Sequence, residues 1–157
     1  MRELVFALEF RGRAGPVPGS PAERRARTTA PSQSLRAILT RGGVDASVEP
    51  LPGDAAVLDS RVERFPDGSF VEDGTITYGG AGAITFVTVG RGIVGPSPIE
   101  GWTRGAVIWD ITGGDGRFAG ARGVITSSFA VSPDGDVIDY HIARIYIPDL
   151  HSPVLLR

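Results

Sequence analysis

The chain has 157 residues, 41% of them hydrophobic, with 16 basic and 18 acidic side chains and a formal net charge of −2. That balance supplies apolar surface for a single soluble domain, and no global field that would recruit nucleic acid or an anionic membrane surface. Every basic residue is arginine, and Lys, Cys and Asn are absent, which excludes Schiff-base lysine, thiolate nucleophiles, thiolate metal sites and disulfides.

At the N-terminus the apolar run of MRELVFALEF is interrupted by Glu3 and Glu9. It is too short for a signal peptide or a membrane span, so a cytoplasmic location is expected. Leu4 to Phe10 alternates with period two and predicts a first strand. From Arg11 to Pro31 the pattern breaks: Pro16, Pro18 and Pro21 punctuate a stretch that also holds Arg24, Arg25 and Arg27. This segment reads as a long loop whose arginines are either solvated or an anion clamp for a carboxylate or phosphate. Ser32 to Gly43 predicts a short helix, capped by Ser32 or Ser34 and stopped at Gly42 and Gly43, with a strand over Leu35 to Leu39 as the alternative.

Beyond Val44 the chain is β in character throughout. Strands are predicted over Val44 to Glu49, Ala55 to Phe65, Ser69 to Tyr78 and Ile84 to Val89, separated by Gly and Pro turns. Ala106 to Thr112, Val124 to Val131 and Val137 to Ile147 then form an antiparallel meander, whose last turn is Pro133-Asp134-Gly135-Asp136. With no helix of useful length to cover a sheet, the expected fold is one all-β domain over residues 1–157. It is an antiparallel closed barrel of about eight strands.

Between the first two meander strands lies ITGGDGRFAGARG, which follows a strand as a dinucleotide loop would. A nucleotide site would need a helix opening on the last glycine, but ARGVITSSFAV follows, alternating and β-branched. No nucleotide cofactor is expected. The phrase resembles the closing hairpins of the allene oxide cyclase-like barrel superfamily, which includes the plant dirigent proteins. There a G-x-G-x-F/Y-x-G-A-x-G phrase recurs, and Gly114, Gly116, Phe118, Gly120, Ala121 and Gly123 occupy its places. The resemblance covers the last third of the chain and matches no catalytic residue of the family. It implies a barrel and a homo-oligomer, in a superfamily of cyclases, stereochemical guides for radical coupling and proteins with no known reaction. An apolar segment at Val154, Leu155 and Leu156 could pack on a neighbouring copy.

Metal chemistry is poorly supplied, since His141 and His151 are the only histidines. Asp139 and His141, on one face of one strand, resemble part of a cupin-like site, but no metal is expected. Attention falls on the barrel interior. If the aromatics face inward, Phe70 and Tyr78 bring Glu72 with them, and Tyr140 and Tyr146 bring Arg144. A carboxylate and a guanidinium among aromatics must be paired or used. The leading expectation is a cofactor-independent isomerase or cyclase acting on an apolar small molecule, such as a polyketide- or lipid-derived one. Glu72 would be the acid/base and Arg144 and Tyr140 the hydrogen-bond donors. Phe70, Tyr78, Phe86, Trp109, Tyr146 and His141 would contact the substrate. The alternatives are a non-catalytic carrier barrel for a hydrophobic ligand, and a structural role with a filled interior. Either ligand-binding reading calls for a cavity of a few hundred cubic ångströms.

Overall fold

The alternation that begins at Leu4 does not stop at Phe10. In the computed structural model, which describes residues 1–149, β1 spans Arg2–Val17 and pairs along most of its length with the last strand. Leu4, Phe6, Leu8 and Phe10 join the core. The same parity runs on through Gly12 and Ala14, while Arg11 and Arg13 are exposed. After a turn at Pro18 and Gly19, β2 (Ser20–Ala30) returns antiparallel to β1. The loop expected from Arg11 to Pro31 is therefore a pair of strands.

Small inward residues, Gly12, Ala14 and Ala26, conceal the hydrophobic period that announces a strand. The outward arginines are matched to acids on neighbouring strands, Arg13 with Asp136 at 2.7 Å and Arg27 with Asp59 at 3.1 Å. Gly12 is required by a close approach. A Cβ there would meet the Arg27 carbonyl and lie 2.7 Å from Thr28 Cα, so any side chain would force β1 and β2 apart.

Next come β3 (Gln33–Thr40) and β4 (Gly43–Pro50), which pair only with each other. The helix expected over Ser32 to Gly43 is thus replaced by the strand alternative. A helix this short would need a tertiary face to hold it, whereas the segment following it supplies a ready ladder partner. Leu35, Ile38, Leu39 and Val44 are exposed, so the hairpin stands outside the core as an arm.

The remaining strands are β5 (Ala56–Arg64), β6 (Ser69–Tyr78), β7 (Ala83–Thr88), β8 (Gly92–Pro96), β9 (Thr103–Gly114), β10 (Arg122–Val131) and β11 (Asp136–Ile147). Their order is β10-β11-β1-β2-β5-β6-β7-β9, and β9 pairs back onto β10. This is a closed antiparallel barrel of eight strands, as the turn spacing predicts. Closure leaves no open edge. The extra strand β8 spans from Ser69 and Phe70 of β6 to β9.

Phe10, Ile76, Ile84, Phe86, Trp109, Ile111, Ile125 and Ile145 fill the interior, each nearly inaccessible to solvent. Burying an aliphatic side chain or phenylalanine of this size stabilises the fold by about 1.5–3 kcal/mol relative to exposure. The glycine-rich phrase forms a single 3₁₀ turn at Gly116–Phe118 and leads into β10, with Phe118 buried beneath it. No helix opens there to hold a phosphate. The apolar tail at Val154, Leu155 and Leu156 lies outside the described residues.

Candidate functional site

Parity decides what each strand delivers to the interior. Along β6 the register with β5 runs without a shift through Gly74, so Phe70, Glu72 and Ile76 share the inner face. At Glu72 the β6–β7 ladder gives way, Asp73–Val87 being its last pair. The Thr88 hydroxyl takes over there, accepting from the Glu72 backbone N–H at 2.7 Å and donating to the Glu72 carbonyl at 2.8 Å. That double contact fixes the backbone from which the carboxyl enters the barrel.

On β11 the inner face is Val137, Asp139, His141, Ala143, Ile145 and Ile147, all buried. Tyr140, Arg144 and Tyr146 lie on the outer wall, which corrects the expected facing. Arg144 pairs with Glu3 of β1 and cannot be the partner of Glu72. Both faces of β11 carry large apolar groups, so aromatic content misleads. The phenols go outward, where Tyr140 lies near Glu9 and Tyr146 near Arg144.

The interior gathers a band of polar groups. Asp139 is the hub: its Oδ1 accepts from Ser127 Oγ at 2.7 Å, and its Oδ2 lies 2.8 Å from His141 Nε2. The imidazole stacks on Phe10, with ring centroids 4.2 Å apart, and meets the edge of Trp109 at 5.0 Å. Trp109 in turn packs on Phe86 at 4.4 Å. Ser127 bonds the carboxylate and not the imidazole, so the trio lacks the serine–histidine contact of a nucleophile triad.

Glu72 differs from Asp139, which has two partners, since among the described residues its carboxyl has none of good geometry. Burial pushes it up to about 8, and the neighbouring charge of Asp139 adds to the rise. Ser60 and Trp109 lie near enough to pull the other way, yet Ser60 Oγ and Trp109 Nε1 complete no hydrogen bond. Among the described residues Thr28 Oγ1 and His141 Nδ1 likewise find no partner. At neutral pH Glu72 is therefore a neutral carboxylic acid, able to donate its proton.

Glu72 and Asp139 border a cavity of about 70 Å³ at one mouth of the barrel, walled by Leu58, Val62, Phe70 and Phe129, with Arg24 and Arg64 among the lining residues. That volume admits a few waters, since one needs at least ~10–15 Å³. It falls short of the few hundred cubic ångströms that either ligand-binding reading called for, so a bulky substrate can enter only in part. Trp109, Phe86 and His141 do not line it, and Tyr78 belongs to the other end of β6, between Phe6 and Phe118. Of the expected site residues, then, Glu72 and Phe70 meet at the cavity. Thr28, Asp139, Arg24 and Arg64 were not expected there, although the alternation Arg24, Ala26, Thr28, Ala30 would have placed two of them on one face.

A larger groove, about 760 Å³, lies outside the barrel between the β3–β4 arm and the wall carrying Glu9, Arg11 and Tyr140. Burial works to raise Glu9, but the hydrogen bond from Arg11, at 2.5 Å, and the proximity of Tyr140 outweigh it and hold the carboxyl below its ordinary range. Glu9 is thus a committed ion-pair partner, and the acid chemistry belongs to the smaller interior cavity.

These features define a closed antiparallel barrel with a protonated carboxyl at one mouth. No family model and no curated protein matches the chain. Among solved structures it is similar to the pterocarpan synthase dirigent protein GePTS1, at 18% identity over 98% of this chain and 92% of that one, with a TM-score of 0.30. At that level of superposition no residue here takes its role from that protein.

Proposed function

We propose that the barrel takes the reacting end of a small, largely apolar molecule into the Glu72 cavity, the rest lying at the mouth, and isomerises or cyclises it by general acid catalysis. The observation that carries this reading is the buried, unpartnered Glu72 carboxyl, raised to about 8 by burial and facing an open volume. A neutral carboxylic acid can donate its proton to a substrate carbonyl, polarise it, and recover the proton as the rearranged skeleton forms. Burial keeps Glu72 protonated at neutral pH, and the charge of Asp139, held by Ser127 and His141, adds to it. Arg144 and Tyr140 have no part in this, since they face away.

Mass spectrometry of compounds released from protein purified under native conditions would supply the ligand. With that compound, Glu72→Gln should lower turnover at least 100-fold while affinity changes by less than about tenfold. Full turnover in the variant would remove Glu72 as the acid, and a ligand that the wild type binds without converting would leave a carrier barrel.

A further inference from the structure

Among the described residues three arginines are half-buried: Arg24, Arg61 and Arg64. Arg61 reaches Glu23 at 2.7 Å and Asp73 at 3.5 Å. Among the described residues Arg24 and Arg64 have no carboxylate within 4 Å and make no side-chain hydrogen bond, and both line the Glu72 cavity. By contrast Arg11, Arg13, Arg27, Arg91 and Arg144 are exposed, and each is matched to an acid.

The placement follows from the register. Arg24 of β2 stands opposite Val62 of β5, and Arg64 is the next residue of β5 on that face. Two cations on adjacent strands therefore share one mouth with no counter-ion between them. Burial pulls the Arg64 guanidinium down, and the charge of Arg24 adds to the effect. Such an arrangement is unfavourable until an anion occupies it.

We propose that the ligand is a small carboxylate anion, its head held between Arg24 and Arg64 at the cavity mouth and its apolar body directed toward Glu72. The planar guanidinium fork matches a carboxylate in a bidentate manner. The Asp139 carboxylate deeper in the cavity disfavours a dianion such as a phosphate monoester, and the apolar walls of Leu58, Val62 and Phe129 suit an alkyl or aryl body. The proposal rests on the cavity being the ligand site, and the test separates the two.

Hexanoate, 1-hexanol and hexyl phosphate are titrated into the full-length protein while the methyl signals of Leu58 and Val62 are followed by NMR. Hexanoate should bind at least tenfold more tightly than hexanol in 20 mM salt. That advantage should shrink in 500 mM salt and vanish in Arg24→Gln and Arg64→Gln, whereas Ala26→Leu, which fills the cavity, should weaken both probes. The salt dependence of the wild-type protein tests the clamp even if a variant fails to fold. Hexanol binding as tightly as hexanoate would overturn the anion clamp and leave the cavity reading standing. Methyl signals unmoved by either probe would overturn both, and tighter binding of hexyl phosphate would overturn the carboxylate assignment.

Discussion

His141 presents Nε2 to Asp139 Oδ2 at 2.8 Å, from two residues further along the same inward face of β11. With Ser127 on the other oxygen, the Asp139 carboxylate is fully engaged, and what it offers Glu72 is charge and not a proton. Asp139→Asn keeps the shape and removes the charge. The Glu72 titration should then move below 8, while staying above the ordinary glutamate range because burial, the larger cause, is untouched. Carboxyl ¹³C NMR of both proteins would show the displacement, and identical midpoints would contradict the coupling. The lost charge-assisted hydrogen bonds should also cost about 2 kcal/mol of stability.

Glu72 itself makes stability depend on pH in a defined direction. Its folded value, about 8, lies above the 4.5 of an ordinary glutamate, so between those limits the native state holds a proton that the unfolded chain has released. The unfolded state binds fewer protons there, and stability falls as pH rises, by up to about tenfold in the unfolding constant per pH unit. Below about 4.5 this penalty is absent and above about 8 it is complete. Glu72→Gln removes the titration. Urea denaturation from pH 5 to pH 9 should show the variant gaining on the wild type steadily with pH. A constant difference between the two would mean that Glu72 is ionised in the folded state.

The arm formed by β3 and β4 is the part of the chain with least to hold it. It is a two-stranded hairpin outside the main sheet, with Leu39 and Val44 exposed near a turn that contains Arg41. Isolated two-stranded hairpins are marginal in water and open locally before the rest of a fold does. Trypsin should cut after Arg41 or Arg36 before it cuts after Arg24, Arg25 or Arg27, which lie in the barrel wall. A first cut within β2 would show that the β1–β2 pair, and not the arm, opens first.

What the sequence discloses here depends on how much apolar contrast each strand carries. β6, β9 and β10 alternate cleanly and are bounded by Gly or Pro turns, so their existence can be read directly, though not the order of strands around the barrel. β2 cannot be read that way, because its inward residues are Ala26, Thr28 and Ala30 and its outward ones include arginines, a composition shared with loops. β11 fails differently. Its two faces are about equally apolar, and only its partners decide that Asp139 and His141 go inside while Tyr140, Arg144 and Tyr146 go out. Glu72 is legible through Phe70 because no bulge intervenes. Its companions are not, since Asp139, Arg24 and Arg64 come from strands far apart in the chain that barrel closure brings to one mouth.

The glycine-rich phrase yields the last prediction. Gly123 has φ +140°, and a Cβ built on it would meet the Arg144 carbonyl and lie 3.1 Å from Ile145 Cα. It pairs with Ile145 on one side and Ile111 on the other, so the barrel wall passes too close for any side chain. Gly120 also has a positive φ, +73°, but a Cβ there would meet only Pro148, at 3.1 Å. Gly120→Ala should therefore cost about 1 kcal/mol, the penalty for the left-handed backbone. Gly123→Val adds a clash with fixed backbone and should cost at least 3 kcal/mol or prevent folding. Comparing the two by chemical denaturation checks the ordering. Equal losses would mean that conformation alone explains both glycines. Micromolar binding of a nucleotide, abolished by either change, would show that the phrase cradles phosphate after all.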